Sequence, residues 1–444
     1  MKRHVFFYVV AMITSIGAVS MGQATLINTG VDRSWAMSPD GTAVTTQGYL
    51  SNGYWTQAAG VTIIGGTDIA AIANDFTIAG DSQFDYEGQT DVDMAAYWTP
   101  ATGWNAIYGF PGSQPCGASL SHSWDMSSNG RYVAGHSWRD DRSCKTHGMV
   151  YDIETGTTMR LAGVENDSTS VKAVSNDGKL MAGWEQTSNR VPLIWDEYGI
   201  PTRVPNPGVG EGSVVSADGV WAGGSMSDSA WLWSQATGFV QIGMLVNPNF
   251  TAAEPTDITA DGSFAIGGHV APPAIGLQEG WVWDEAGGIR SFKDFCIGLG
   301  LTQAYSWTKS PVPNAISDDG SVIQFGLNGI AQLLVIDQPD TCELDWDCDN
   351  LITIDDVISF YWDYKYYEAY WNHPTLGPLV DGGYEHKQNC GEPGNQDWNE
   401  NGLIELNDVF TAQAALGNIY WQYIIYADYP SLYATYFPNS TCTP

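Results

Sequence analysis

Between Thr25 and Asp337 the alternation of apolar and polar positions keeps returning to one phrase. A short run of small and apolar residues leads into a polar turn, and a second short run follows, ending in most copies in Ala-Gly or a close variant. The phrase reads Trp35-Ala-Met-Ser-Pro-Asp-Gly41, Trp124-Asp-Met-Ser-Ser-Asn-Gly130, Ala173-Val-Ser-Asn-Asp-Gly178, Val215-Ser-Ala-Asp-Gly219, Ile258-Thr-Ala-Asp-Gly262 and Ile316-Ser-Asp-Asp-Gly320. A worn seventh copy, Ile72-Ala-Asn-Asp75-Phe76, carries Phe where the others carry Gly. Period-two runs around Asp-Gly or Asn-Gly predict β-hairpins, with a primed turn in which both residues adopt positive φ.

A second phrase follows each turn, an alternating strand ending in an aromatic residue. It appears as Ala95-Ala-Tyr-Trp98, Gly148-Met-Val-Tyr151, Pro192-Leu-Ile-Trp195, Ala230-Trp-Leu-Trp233 and Gly280-Trp-Val-Trp283. A turn such as Gln235-Ala-Thr-Gly238 and a short strand such as Phe239-Val-Gln-Ile-Gly243 close the unit. Four strands in roughly 40–58 residues is the size of a propeller blade. The expectation is a mainly β chain, with a seven-bladed β-propeller over residues 25–338. A strand near Thr25–Asn28 or one near Ala331–Ile336 would complete a shared blade. A β-sandwich or a stacked solenoid is the rival architecture. The phrase pattern resembles the HAF family of bacterial extracellular repeats, across residues 30–337.

The tail follows another rule. Asp345-Trp-Asp-Cys-Asp-Asn-Leu-Ile-Thr-Ile-Asp-Asp356 and Asp397-Trp-Asn-Glu-Asn-Gly-Leu-Ile-Glu-Leu-Asn-Asp408 place oxygen-bearing side chains at positions 1, 3, 5, 9 and 12 of a loop. A hard cation takes six to eight oxygens, and alternate side chains of a tight twelve-residue loop converge on one point. Asp345, Asp347, Asp349, Thr353 and Asp356 are the expected ligands of one Ca2+, with the Leu351 carbonyl. Asp397, Asn399, Asn401, Glu405 and Asp408 are those of a second, with the Leu403 carbonyl.

The two loops belong to a duplication of about 52 residues, in which Trp346 matches Trp398 and Cys390 matches Cys442. Residues 339–444 therefore resemble a dockerin type I domain, a small α-rich module of duplicated EF-hand-like calcium loops. The resemblance implies two Ca2+ ions and, as partner, a cohesin-like or surface protein. Asn350 stands where the family has Gly, and the spacing between the loops is longer than in a dockerin.

Residues 1–24 read as a secretory signal peptide, with Lys2 and Arg3 ahead of an apolar run from Val5 to Ile16 and small residues Gly22 and Ala24 at the cleavage site. No later stretch is apolar enough to span a bilayer, so the mature chain is expected to be secreted or held at the cell surface. Fifty acidic residues against seventeen basic ones give a formal charge of −33. That balance excludes nucleic acid and anionic membranes as partners.

Outside the cell the seven cysteines are expected to pair where geometry permits. Cys116 with Cys144 is the local pair. In the tail, Cys342–Cys442 with Cys348–Cys390 competes with Cys342–Cys390 and Cys348–Cys442. Cys296 is left as a thiol, expected to be buried beside Phe292, Phe295 and Trp307.

No motif selects a reaction, and no catalytic residue is assigned. Gly135-His-Ser137-Trp-Arg139 begins like a nucleophile elbow, but Arg139 stands where the second Gly is needed. Phosphate-loop, dinucleotide and metalloprotease signatures are missing. The Asp residues of the turns fit turn chemistry better than ligation, and the repeated Trp residues fit packing better than sugar stacking. Two functions stay open. One is a non-catalytic binding or scaffold-assembly protein whose propeller presents a partner or a glycan. The other is a polysaccharide-degrading component, a glycoside hydrolase or lyase, with a docking tail.

Overall fold

The computed structural model describes residues 24–336, apart from 48–51, 140–143, 166–167, 206–208, 228, 247–249 and 271–276. The chain divides between Asp337 and Gln338, and the described residues all belong to the first part. Both calcium loops, the tail cysteines and the signal residues before Ala24 lie outside them. No helix among the described residues is long and apolar enough to cross a membrane.

The described strands form seven successive antiparallel units. Strand β1 (Ala24–Asp32) is set aside until the end. The first unit holds β2 (Ala43–Thr46), β3 (Gly53–Thr56) and β4 (Gly60–Ile63), with Met37 bridged to Val44 in place of a full inner strand. The second runs β5 (Asp68–Ile72), β6 (Ile78–Tyr86), β7 (Gln89–Thr99) and β8 (Gly103–Ala106). The third has β9 (Ser121–Met126), β10 (Tyr132–Trp138), β11 (Thr146–Asp152) and β12 (Thr157–Leu161).

The fourth unit consists of β13 (Ser168–Val174), β14 (Met181–Gln186), β15 (Arg190–Trp195) and β16 (Pro201–Arg203). The fifth is β17 (Glu211–Val215), β18 (Trp221–Met226), β19 (Ser229–Ser234) and β20 (Gly238–Gly243). In the sixth stand β21 (Ala252–Ile258), β22 (Phe264–Val270), β23 (Leu277–Asp284) and β24 (Gly288–Ser291). The seventh has β25 (Pro313–Ile316), β26 (Val322–Leu327) and β27 (Ile330–Ile336), and β1 pairs with β27 as its outermost strand.

The core lies in the seams between units, and it runs the whole way round. Val171, Met181 and Trp195 of the fourth unit pack on Ala134, Val150 and Leu161 of the third. Comparable clusters join each other neighbouring pair, and the last joins the seventh unit to the first. There Ala315, Val322 and Leu333 meet Met37, Val44 and Trp55. Neither a sandwich nor a solenoid has a seam that returns to its start, so the architecture is β-propeller-like. Of the repeated strand-end aromatics, Trp195 is fully buried, and Trp98, Tyr151, Trp233 and Trp283 are half-buried against the core clusters, while Trp231 and Trp281 two places ahead are buried. They serve packing, as their alternation with small residues implies.

The turns differ from the primed geometry expected. In Ser38-Pro39-Asp40-Gly41 the Gly41 N–H donates to the Ser38 carbonyl, and Gly41 alone has positive φ, at 73°. This is a type I turn closed by a left-handed residue. The acidic residue works through its side chain instead. In six turns the first hydroxyl donates to the third residue's Asp or Asn oxygen at 2.6–2.8 Å. That oxygen also accepts the N–H two residues on, at 2.9–3.2 Å. The worn copy keeps the conformation, with Phe76 at φ 63°.

Each turn also binds a neighbour, so the turns form a girdle. Asn176 N–H donates to the Ala217 carbonyl, Asp218 to Ala260, Ala260 to Asp318, and Asp318 to Pro39. Asp40 N–H continues it to the Asn74 side chain, and Asn129 N–H reaches the Asn176 side chain. Between β24 and β25 the chain inserts a helix that the strand pattern hides, α1 (Phe292–Gly298), capped by Ser291. It buries Cys296 against Phe292 and Trp307, with Phe295 packed alongside, so this cysteine is a core thiol as expected. Cys116 and Cys144 are joined as a disulfide.

Candidate functional site

The innermost strands share an irregularity that sets the lining of the ring's axis. β5, β9, β13, β17, β21 and β25 each carry a bulge at the same point of the ladder to the next strand. The extra residues are Ala70, Trp124, Lys172, Ser213, Thr256 and Asn314, each three places ahead of its turn. Trp35 holds the same place in the first unit.

A bulge re-aims a side chain out of the pleat. Three of these side chains reach across to the next unit. Ser213 Oγ donates to the Pro255 carbonyl (2.9 Å), Thr256 Oγ1 to that of Pro313 (2.8 Å), and Asn314 Nδ2 to that of Ser34 (3.2 Å). Lys172 Nζ lies 3.4 Å from the centroid of the Trp124 ring.

Three chemistries share this lining. Around the fourth to sixth units it is ionic. Arg190 pairs with Glu211 at 2.7 Å, and Lys172 lies within the fields of Glu211 and Glu254. Burial lowers the Lys172 ammonium against those two charges. Burial also raises Glu254, with Glu211 adding to the effect. Deeper along the axis, burial pushes the Asp125 carboxyl up to about 8 and the Asp257 carboxyl up to about 7. Asp257 accepts the Ile258 and Ile316 N–H groups. The Ser128 hydroxyl donates to Asp318 (3.1 Å), tying the third turn to the seventh.

At the seam of the second and third units the lining turns to carboxylate and imidazole. Asp81 Oδ2 meets His122 Nδ1, while its Oδ1 accepts from Ser123 N–H (2.9 Å) and Ser123 Oγ (3.1 Å). Burial alone would lower the His122 imidazole, but the Asp81 carboxylate offsets this and its pKa is raised. His136 lies beside it, 5.7 Å between ring centroids, and burial lowers it to about 3. Its Nδ1 accepts the Trp124 indole N–H at 3.2 Å.

The third chemistry is neutral. Where the sixth, seventh and first units meet, a cavity of about 1160 Å3 opens. Trp35, 57% exposed, forms one side, and carboxamides from Asn28, Gln303, Asn314 and Gln332 line it. Lys309 brings its one charge, and no Asp, Glu or His lines it among the described residues. That is notable in so acidic a chain.

The twelve calcium-ligand positions expected from Asp345 to Asp408 lie outside the described residues. Gly135 to Trp138 is no nucleophile elbow. It runs through β10, where Ser137 is fully buried and its Oγ donates to Ser113 Oγ (3.0 Å). Trp35, Trp124 and the Asp68–Asp81–His122 seam were not singled out from sequence. For the two tryptophans the available signal was their shared distance from the turn.

No family model and no curated protein matches this chain. Among solved structures, TolB from Acinetobacter baumannii is 13% identical over 60% of this chain and 65% of its own, with a TM-score of 0.39. A chain of the mitotic checkpoint complex is 14% identical over 72% of this chain and 92% of its own, with a TM-score of 0.44. The chain thus spans about two thirds of the TolB chain. At these scores the architecture rests on strand order and ring closure.

Proposed function

We propose that this chain is a secreted, non-catalytic binding protein of the HAF-repeat type, a seven-bladed propeller with a glycan site at the cavity beside Trp35. A dockerin-like tail, holding two Ca2+ ions in the loops from Asp345 and Asp397, docks it to a cohesin-like or surface protein. The observation that carries the glycan reading is the cavity's chemistry. An exposed indole face and a set of carboxamides suit the apolar face and hydroxyl groups of a sugar. The volume exceeds the ~300–1,000 Å3 of a small-molecule site, so more than one sugar unit fits. Hydrolysis needs a pair of carboxyl groups about 5–10 Å apart flanking the bond, and among the described residues the lining holds no carboxyl group.

The test is affinity electrophoresis of the full chain through a panel of polysaccharides. Retardation by a neutral glycan is expected, with Trp35→Ala weakening it by about tenfold or more, as loss of a central aromatic anchor does. Release of reducing ends from the retarding glycan would instead make the protein an enzyme. Calcium titration of the full chain tests the tail, with Asp345→Ala and Asp397→Ala each expected to remove one ion.

A further inference from the structure

We propose that Asp68, Asp81 and His122 form a binding site for one divalent transition-metal ion of the zinc type, joining the second and third units. Asp68 and Asp81 face each other across the β5–β6 ladder, and His122 comes from β9 of the next unit. One donor atom from each lies within 4.8 Å of the other two. Bonds of 2.0–2.2 Å to one ion place ligand atoms roughly 3.4 Å apart in a tetrahedron and ~4.2 Å apart when opposed. The three donors lie within one ion's reach, but His122 Nδ1 and Asp81 Oδ2 are in direct contact, so side-chain rotation must part them to admit the ion.

The donor set selects the metal. An imidazole nitrogen with two carboxylate oxygens suits zinc and its first-row neighbours, whereas calcium takes oxygen alone. This separates the site from the all-oxygen loops of the tail. Three protein ligands also leave a coordination position, on the side of His122, whose side chain is 24% exposed while that of Asp81 is 2%.

Two further observations point to a cation. Ligating carboxylates are oriented by outer hydrogen bonds, and both are held in this way. Ser123 N–H and Oγ fix Asp81 Oδ1, while Ile69 N–H (2.8 Å) and the Gln47 amide fix Asp68 Oδ1. The charge is also unbalanced. Asp93, its Oδ1 held by Thr67 at 2.7 Å, adds a third carboxylate to the field of one imidazole. Lys172, over the Trp124 ring, also acts on His122, and the three carboxylates still outnumber the imidazolium and this ammonium. A divalent ion replaces the His122 proton and offsets the remaining charge of a half-buried cluster.

The experiment uses chelator-stripped full chain, with Ca2+ present to fill the tail loops. Co2+ is titrated and its visible d–d absorption followed, then Zn2+ is added. A band saturating at one equivalent and bleached by Zn2+ is expected, together with a rise in melting temperature on Zn2+ binding. His122→Ala abolishes both responses. Asp68→Ala leaves the His122–Asp81 contact in place and weakens Co2+ binding at least tenfold, so it decides the matter if the His122 variant does not fold. No band, or one that persists in the Asp68 variant, overturns the proposal and leaves a proton-bound His–Asp pair.

Discussion

The turn glycines offer a test in which one substitution is made in one local conformation against two different neighbours. Gly262 and Gly320 end equivalent turns, at φ 72° and 74°. A Cβ on Gly320 would meet its nearest neighbour, Thr259 Cγ2, at 3.4 Å, an ordinary contact. On Gly262 it would lie 2.2 Å from Trp221 Cδ1 and 2.6 Å from Cγ, so the indole must move. Gly320→Ala carries only the left-handed backbone, about 1–2 kcal/mol, partly offset by ~0.4–1 kcal/mol from the stiffer unfolded chain. Its net loss is about 1 kcal/mol by those two principles. Gly262→Ala carries the same terms plus the displaced Trp221, about 1–3 kcal/mol of overpacking.

Urea unfolding followed by far-ultraviolet circular dichroism measures both. Near-ultraviolet dichroism should change for Gly262→Ala alone, since an indole moves in that variant only. Adding Gly262→Ala to a Trp221→Ala background should cost no more than Gly320→Ala, because the obstacle is gone. Equal losses in the two single variants would refute the reasoning. It would mean that the close approach between successive turns does not constrain this position.

Two further outcomes follow from the same geometry. Replacing Cys116 and Cys144 by Ser opens a bridge between residues 28 apart, and loop-closure entropy sets the loss at about 3.5 kcal/mol, readable as a lower urea midpoint. Burial raises Asp125 from 3.8 to about 8, so the folded state holds a proton that the unfolded chain releases. That stability is complete below about pH 4 and is lost as pH rises toward 8. Asp257, raised to about 7, acts in the same sense. Asp125→Asn should therefore match the parent near pH 4 and exceed it near pH 9 in thermal unfolding.

What could be read from the chain was local. The Ser/Thr-x-Asp-Gly phrase is legible because hydroxyl, carboxylate and glycine satisfy one another within a few residues. The strand-end aromatics are legible because alternation marks the buried face. The turn type was misread although a signal was present. Pro39 fixes φ near −65° at the first central position, which a primed turn forbids. The bulge residues escaped because Trp124, Lys172, Ser213, Thr256 and Asn314 share a position and no chemistry. Three of them donate to main-chain carbonyls of the next unit, and a carbonyl leaves no trace in sequence. Asp68, Asp81 and His122 likewise stand on three strands of two units, and only the seam brings them together. Helix α1 was hidden in a chain whose period was elsewhere that of strands, although Ser291 is a readable cap.

The pairing of β1 with β27 sets a clock on synthesis. The Thr29 hydroxyl bonds the Ala331 carbonyl across 302 positions of chain. At ~5–20 residues per second, about 15–60 s separate the emergence of the two strands. For that interval β1 is an open edge carrying Leu26, Ile27 and Val31, the kind of edge that recruits strands from other chains. Each earlier unit can close on its own hairpins as it appears. The last unit waits for both ends of the ring, so a chain stopped before Ile330 leaves β1 and β26 both without β27, the strand that stands between them.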